Sequence, residues 1–197
     1  MKRFLLAAMS VALFTPVTYA AEKTAIFAGG CFWCIEKDFE HVAGVIDVVS
    51  GYTGGSLKNP TYRNHEGHRE AVKITYDDSK TSYDQLLSIF WRTVDPTDDG
   101  GQFCDRGYAY STAVYALDGD QLSLAQMSKK QAAKDLQQPI ATEIAMASFW
   151  TDSEGYHQDY YKKNPIRYKY YRYRCGRDQR VKQLWGNQAY KGVVHGS

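Results

Sequence analysis

Apolar positions along this chain either alternate with polar ones or recur at helical spacing, and the two patterns succeed each other in a regular order. Thr24 to Ala28 is a short apolar run closed by Gly29-Gly30, as expected of a buried strand. Cys31 to Val42 then carries Phe32, Ile35, Phe39 and Val42 at the spacing of one helix face. Val45 to Tyr52 is β-branched and reads as a strand. Glu70 to Tyr76 alternates, with Val72, Ile74 and Tyr76 on one side, as a half-buried strand does. A helix capped by Ser82 or Thr81 is predicted through Leu86, Leu87, Phe90 and Trp91, with Asp95-Pro96 as its stop. Thr112 to Leu117 predicts a strand, Gly119 to Leu136 a helix and Ile140 to Ala147 a further strand. Thr53 to Gly67 and Thr97 to Tyr110 are polar, Gly-rich and loop-like. The Tyr-rich remainder predicts irregular chain with one short helix, Asp178 to Trp185.

The resulting order, β-α-β-β-α-β followed by α-β, predicts an α+β fold. It would be a two-layer sandwich with a mixed sheet and a split βαβ (ferredoxin-like) core, helices on one face. No repeat, low-complexity tract or long linker divides the chain, so residues 21–197 are expected to form a single, monomeric domain.

The first twenty residues read differently. Lys2 and Arg3 precede an apolar stretch from Phe4 to Phe14, and Thr18-Tyr19-Ala20 follows with a small residue at its end. This is the layout of a secretory signal, here residues 1–20, cut after Ala20. The stretch is too short for a stable membrane anchor. Residue 21 is Ala, so no lipid is attached at the cut. The expected destination is the periplasm. Removing Lys2 and Arg3 takes the basic count from 24 to 22, equal to the 22 acidic residues, so the mature chain is neutral. Neutrality argues against nucleic-acid binding by the basic, aromatic stretch from Tyr160 to Arg174.

Four cysteines remain: Cys31, Cys34, Cys104 and Cys175. Cys31 stands where a glycine-closed strand meets a helix, beside unpaired amides and a partial positive charge that favour a thiolate. Cys34 lies one turn on, placed to attack whatever forms on Cys31. An oxidising compartment makes spare free thiols a liability, so Cys104 and Cys175 are expected to pair as a structural bridge. A second redox relay and two buried free thiols are the alternatives. His65 and His68 have the wrong spacing for a helical metal motif and are read as solvated loop residues, with no metal expected.

The string Gly30-Cys31-Phe32-Trp33 resembles the active-site motif of the A-type peptide methionine sulfoxide reductases, the MsrA family. Further family-like motifs follow in order: Ser50 to Gly55, Asn59 to Tyr62, Gly67 to Val72, Gly101-Gln102-Phe103, Asp105-Arg106-Gly107 and Tyr156 to Tyr161. The resemblance implies reduction of methionine S-sulfoxide, free or in oxidised proteins. It implies Cys31 as nucleophile, Phe32 and Trp33 as an apolar wall for the S-methyl group, and Glu70 as the acid. Tyr62 and Tyr110 would hydrogen-bond the sulfoxide oxygen, and Asp105 would act near the nucleophile. Cys34 would close a disulfide on the Cys31 sulfenic acid. No bound cofactor is implied; an external dithiol, thioredoxin or a thioredoxin-like protein, would reset the pair. A thioredoxin-like thiol-disulfide oxidoreductase is the nearest rival, since it also carries C-x-x-C at a helix start.

Overall fold

A computed structural model describes residues 21–194, and the signal sequence expected at residues 1–20 lies outside them. Eight strands and six α-helices are present in the described chain: β1 (Glu22–Gly29), α1 (Phe32–Glu40), β2 (Val45–Thr53), β3 (Arg69–Asp77), α2 (Tyr83–Trp91), β4 (Gly101–Gln102), β5 (Asp105–Arg106), β6 (Thr112–Ala116), α3 (Gly119–Leu136), β7 (Glu143–Met146), β8 (Trp150–Asp152), α4 (Tyr160–Lys163), α5 (Pro165–Arg174) and α6 (Arg177–Trp185). Six strands form one mixed sheet in the order β7-β6-β1-β3-β2-β8, and β4 and β5 form a small separate hairpin.

The alternation of apolar residues decides which face of the sheet is covered. Ala25 and Phe27 of β1, Val72 and Ile74 of β3 and Val114 of β6 point to the helical layer. They meet Phe32, Ile35 and Phe39 of α1, Leu86, Leu87, Phe90 and Trp91 of α2, and Ala125 and Ala132 of α3. The residues between them, Ile26, Ala28, Ala71, Ala113 and Tyr115, form a smaller cluster on the other face with Ala145, Ala147 and Trp150. β1 therefore runs through the middle of the sheet, buried on both sides, antiparallel to β3 and to β6. Helix α2 starts at Ser82, whose hydroxyl accepts from the Gln85 amide while the Gln85 side chain accepts from Ser82, a capping box.

Four elements differ from the sequence reading. The Tyr-rich segment ahead of the predicted last helix is not irregular but is folded into α4 and α5, and the helix predicted over Asp178–Trp185 is α6. Pro165 opens α5 at a position where no amide is needed, and Tyr168 and Arg172, four apart, are its buried residues. Helix α2 ends at Trp91, before Asp95-Pro96. The strand expected over 140–147 is shorter, and β8 pairs with the edge of β2. The loop from Thr97 to Tyr110 contains the β4–β5 hairpin and a 3₁₀ turn at Tyr108–Tyr110.

Candidate active site

Gly30 has φ +83°, and a Cβ there would lie 2.6 Å from the Gln102 Cβ, so the residue joining β1 to α1 has to be glycine. The turn sets Cys31 at the N-cap of α1. The Phe32 amide of that first turn donates to Glu70 Oε2 at 3.0 Å. Glu70 comes from β3, where it pairs with Tyr52 of β2, and it is 1 % exposed. Burial pushes its carboxyl up to about 8, partly opposed by the Phe32 amide and raised further by the charges of Asp105 and Cys34. Near neutral pH Glu70 is thus a protonated acid aimed at the start of α1.

A cavity of about 50 Å³ opens in front of Cys31, lined by Phe32, Trp33, Tyr62, Glu70, Asp105, Tyr110 and Tyr171. Six of these side chains were singled out in the sequence, and the fold draws them from α1, two loops, β3 and β5. The seven-residue stretch between Tyr62 and Glu70 is long enough to seat both. Tyr62 and Tyr110 have their hydroxyls held in the protonated form, first by burial and next by the nearby Glu70 charge. Both can donate a hydrogen bond into the cavity. Burial also raises Asp105, against the hydroxyl of Tyr171, which donates to its Oδ2.

The aromatic wall is itself braced. The Trp33 indole stacks on Tyr160 with ring centroids 3.7 Å apart, and Tyr171 meets it edge-on. Trp33 Nε1 donates to His157 Nδ1 at 3.0 Å, which leaves the proton of the neutral imidazole on Nε2. Burial lowers the His157 pKa, keeping the ring neutral, and it packs against Phe32 and Tyr62 at 5.1 and 4.4 Å. His157 stands inside a motif noted in the sequence, but its bracing role was not readable there. Tyr171 was missed, because within a run of tyrosines on α5 nothing marks the one that reaches the site.

Cys34 lies behind Cys31 rather than on the cavity, buried with Tyr160 and Tyr168. The two thiols are free and share a hydrogen bond. Burial raises Cys31 well above an ordinary thiol, with the Cys34 hydrogen bond and the charges of Cys34 and Glu70 adding to it. Cys34 is pushed down to about 6, first by the hydrogen bond from Cys31 and then by the Arg177 and Arg172 guanidinium groups. The first-turn amide that was expected to favour the Cys31 thiolate is spent on Glu70.

Cys104 and Cys175 form a disulfide with a Cα–Cα separation of 4.8 Å. It ties the end of α5 to the β4–β5 turn and so holds Asp105 beside the cavity. His68 is fully buried instead of solvated, accepting from the Gly55 amide at 3.3 Å, while His65 stacks on Tyr52.

The same constellation can be set against known proteins. A family model described as peptide methionine sulfoxide reductase matches residues 23–189. The chain belongs to that family. Among relatives, a Rhizobium meliloti protein named peptide methionine sulfoxide reductase MsrA 2 is 49% identical over 185 residues, covering 93% of each chain. A Caulobacter vibrioides protein of the same name is 51% identical over 187 residues, covering 91% of this chain and 95% of its own. The solved structure of methionine sulfoxide reductase A of Corynebacterium diphtheriae superposes with a TM-score of 0.70 at 30% identity, covering 74% of this chain and 76% of that one. Membership of the A-type reductase family sets aside the thioredoxin-like reading of the C-x-x-C pair.

Proposed function

We propose that this protein reduces methionine S-sulfoxide to methionine, with thiols as the only redox groups. The observation that carries the reading is the protonated Glu70, anchored by the Phe32 amide, beside Cys31 in a cavity walled by Phe32 and Trp33. The cavity admits a sulfoxide and its methyl group and little else, so the rest of the substrate stays outside. Free methionine sulfoxide and oxidised protein side chains both meet that requirement.

The chemistry follows from the positions. Tyr62 and Tyr110 hold the sulfoxide oxygen, and Glu70 gives it a proton, which makes the substrate sulfur electrophilic. The Cys31 sulfur attacks as its thiol proton passes to the Glu70 carboxylate, which restores the acid. Oxygen passes to Cys31 as a sulfenic acid, and the thioether leaves. Cys34 then attacks the Cys31 sulfur: a disulfide forms, the S–O bond breaks, and the oxygen departs as water. An external dithiol, thioredoxin or a thioredoxin-like protein, returns two electrons and two protons to the pair. The signal-like N-terminus supports export, and the periplasm is the proposed site of action.

Turnover of the two separated sulfoxide epimers with a dithiol tests this reading. We expect reduction of the S epimer alone, abolished in Cys31→Ser. Equal turnover of both epimers, or retained activity in Cys31→Ser, refutes it.

A further inference from the structure

Glu70 has a neighbour on β3 that faces the other way. Successive residues of a strand point to opposite faces, so Arg69 lies on the sheet face that carries Ala71 and Tyr115. Arg69 is nonetheless buried, 5 % exposed, and each nitrogen of its guanidinium donates a hydrogen bond. Nε donates to Ser111 Oγ at 2.7 Å, Nη1 to the Tyr115 hydroxyl at 2.8 Å and Nη2 to Glu143 Oε2 at 2.7 Å. The guanidinium carbon also sits 4.2 Å from the centroid of the Tyr108 ring.

Two of these partners bracket Tyr110. Tyr108 opens the 3₁₀ turn Tyr108–Tyr110, and Ser111 caps it. The Ser111 hydroxyl that accepts from Arg69 donates in turn to the Tyr108 carbonyl at 2.8 Å, so the two ends of the turn are joined to each other as well. The turn is three residues long and is entered through Gly107 at φ +104°, where a Cβ would have no neighbour within 4 Å. A single turn of this kind has few bonds of its own: the Tyr110 amide donates to the Gly107 carbonyl and the Ser111 amide to the Tyr108 carbonyl, both at 3.0 Å. The arginine supplies what so short a turn lacks.

We propose that Arg69 is a positioning residue for Tyr110: by gripping residues 108 and 111 from the far face of the sheet, it fixes where the Tyr110 hydroxyl meets the sulfoxide oxygen. The inference rests on the reductase reading for the role of Tyr110, but not for the grip on the turn. A hydrogen-bond donor and a general acid that act on one oxygen must keep a fixed separation, because such contacts span only about 2.6–3.2 Å. Arg69 and Glu70 are consecutive on β3, so the donor is set from the same piece of backbone as the acid. Lysine cannot take this place. Its ammonium is a single point charge, whereas the partners here lie in three directions around a plane with a ring against its face.

Hydrogen exchange reads the grip without substrate. In Arg69→Lys, which keeps a cation for Glu143, the loss of one hydrogen bond should let the Tyr110 and Ser111 amides exchange about tenfold faster. The amides of β1 and β3 should keep their protection. Tyr108→Leu, a change at an exposed position, should loosen the same two amides and decides the matter where the Lys form does not fold. Unchanged exchange at these two amides in either folded variant overturns the proposal.

Methionine released in a single turnover reads the consequence. Arg69→Lys should slow the first chemical step by roughly tenfold, the scale of one well-placed hydrogen bond. In a Tyr110→Phe background, where no hydroxyl is left to place, the same change should cost less than about twofold. In a Tyr62→Phe background it should again cost roughly tenfold. A penalty of equal size in all three backgrounds would make Arg69 a packing residue and overturn the proposal, as would a wild-type rate in Arg69→Lys. Absence of sulfoxide reduction in the unaltered protein, with the exchange difference present, would instead count against the reductase reading.

Discussion

Glu70 joins deep burial to a carboxyl, and that conflict is resolved by keeping its proton. The consequence reaches both rate and stability. In the folded protein the group is protonated up to about 8, whereas in the unfolded chain it loses its proton near the ordinary carboxylate value of about 4.3. Between those values the native state binds more protons than the unfolded one, so this residue's contribution falls as pH rises. Glu70→Gln removes that loss. At neutral pH the variant should be more stable by up to about 3 kcal/mol, measured by chemical denaturation. It should also slow the first chemical step by roughly a hundredfold, measured as methionine released in a single turnover. In the native enzyme the same step should decline as pH rises through about 8. A variant that lost stability and kept its rate would show that Glu70 is a structural carboxylate.

At the scale of elements, the C-terminal helices matter because they close the site from behind. α5 supplies Tyr171 and α6 supplies Arg177, and the Cys104–Cys175 bridge fastens that end to the hairpin carrying Asp105. The bridge has a sequence separation of 71, and on the chain-entropy account such a link contributes about 4 kcal/mol before strain. Cys104→Ala/Cys175→Ala should lower the denaturation midpoint accordingly and leave single-turnover methionine release largely intact. Peptide mapping before and after sulfoxide turnover would separate this structural role from a relay, in which the linkage appears only after turnover. Of these helices α6 was predicted, while α4 and α5 were the least legible part of the sequence. α1, α2 and α3 announce themselves through Phe39, Leu86 or Ala125, aliphatic and aromatic side chains at one-face spacing. α5 buries Tyr168 and Arg172, residue types that a hydrophobic pattern counts as polar, whereas α6 also buries Val181 and Trp185. β4 and β5, two residues each, are too short to show any period. The site itself was largely readable, since Cys31, Phe32, Trp33, Tyr62, Glu70, Asp105 and Tyr110 do converge. What could not be read was Tyr171, which α5 brings to the cavity from within a run of tyrosines.

For the whole molecule, cleavage after Ala20 as proposed would leave 22 basic and 22 acidic residues, and the two thiols outside the disulfide, Cys31 and Cys34, are buried. If the N-terminal segment acts as proposed, protein recovered from the exported compartment should begin at Ala21 by N-terminal sequencing. Recovery there of chains still beginning at Met1 would contradict cleavage.

The sheet order also has a meaning in time. β1 lies between β3 and β6, so the strand leading into Cys31 finds both partners only after residue 116 has been made. A ribosome adding about 5–20 residues per second takes roughly 7–30 s to pass from Gly29 to Arg174. Until residue 116 has been made the growing chain lacks β6, the second partner of β1, and Tyr171 comes later still. If the chain is exported as proposed, a membrane channel that takes it up before residue 116 has emerged meets a sheet whose central strand still lacks a partner.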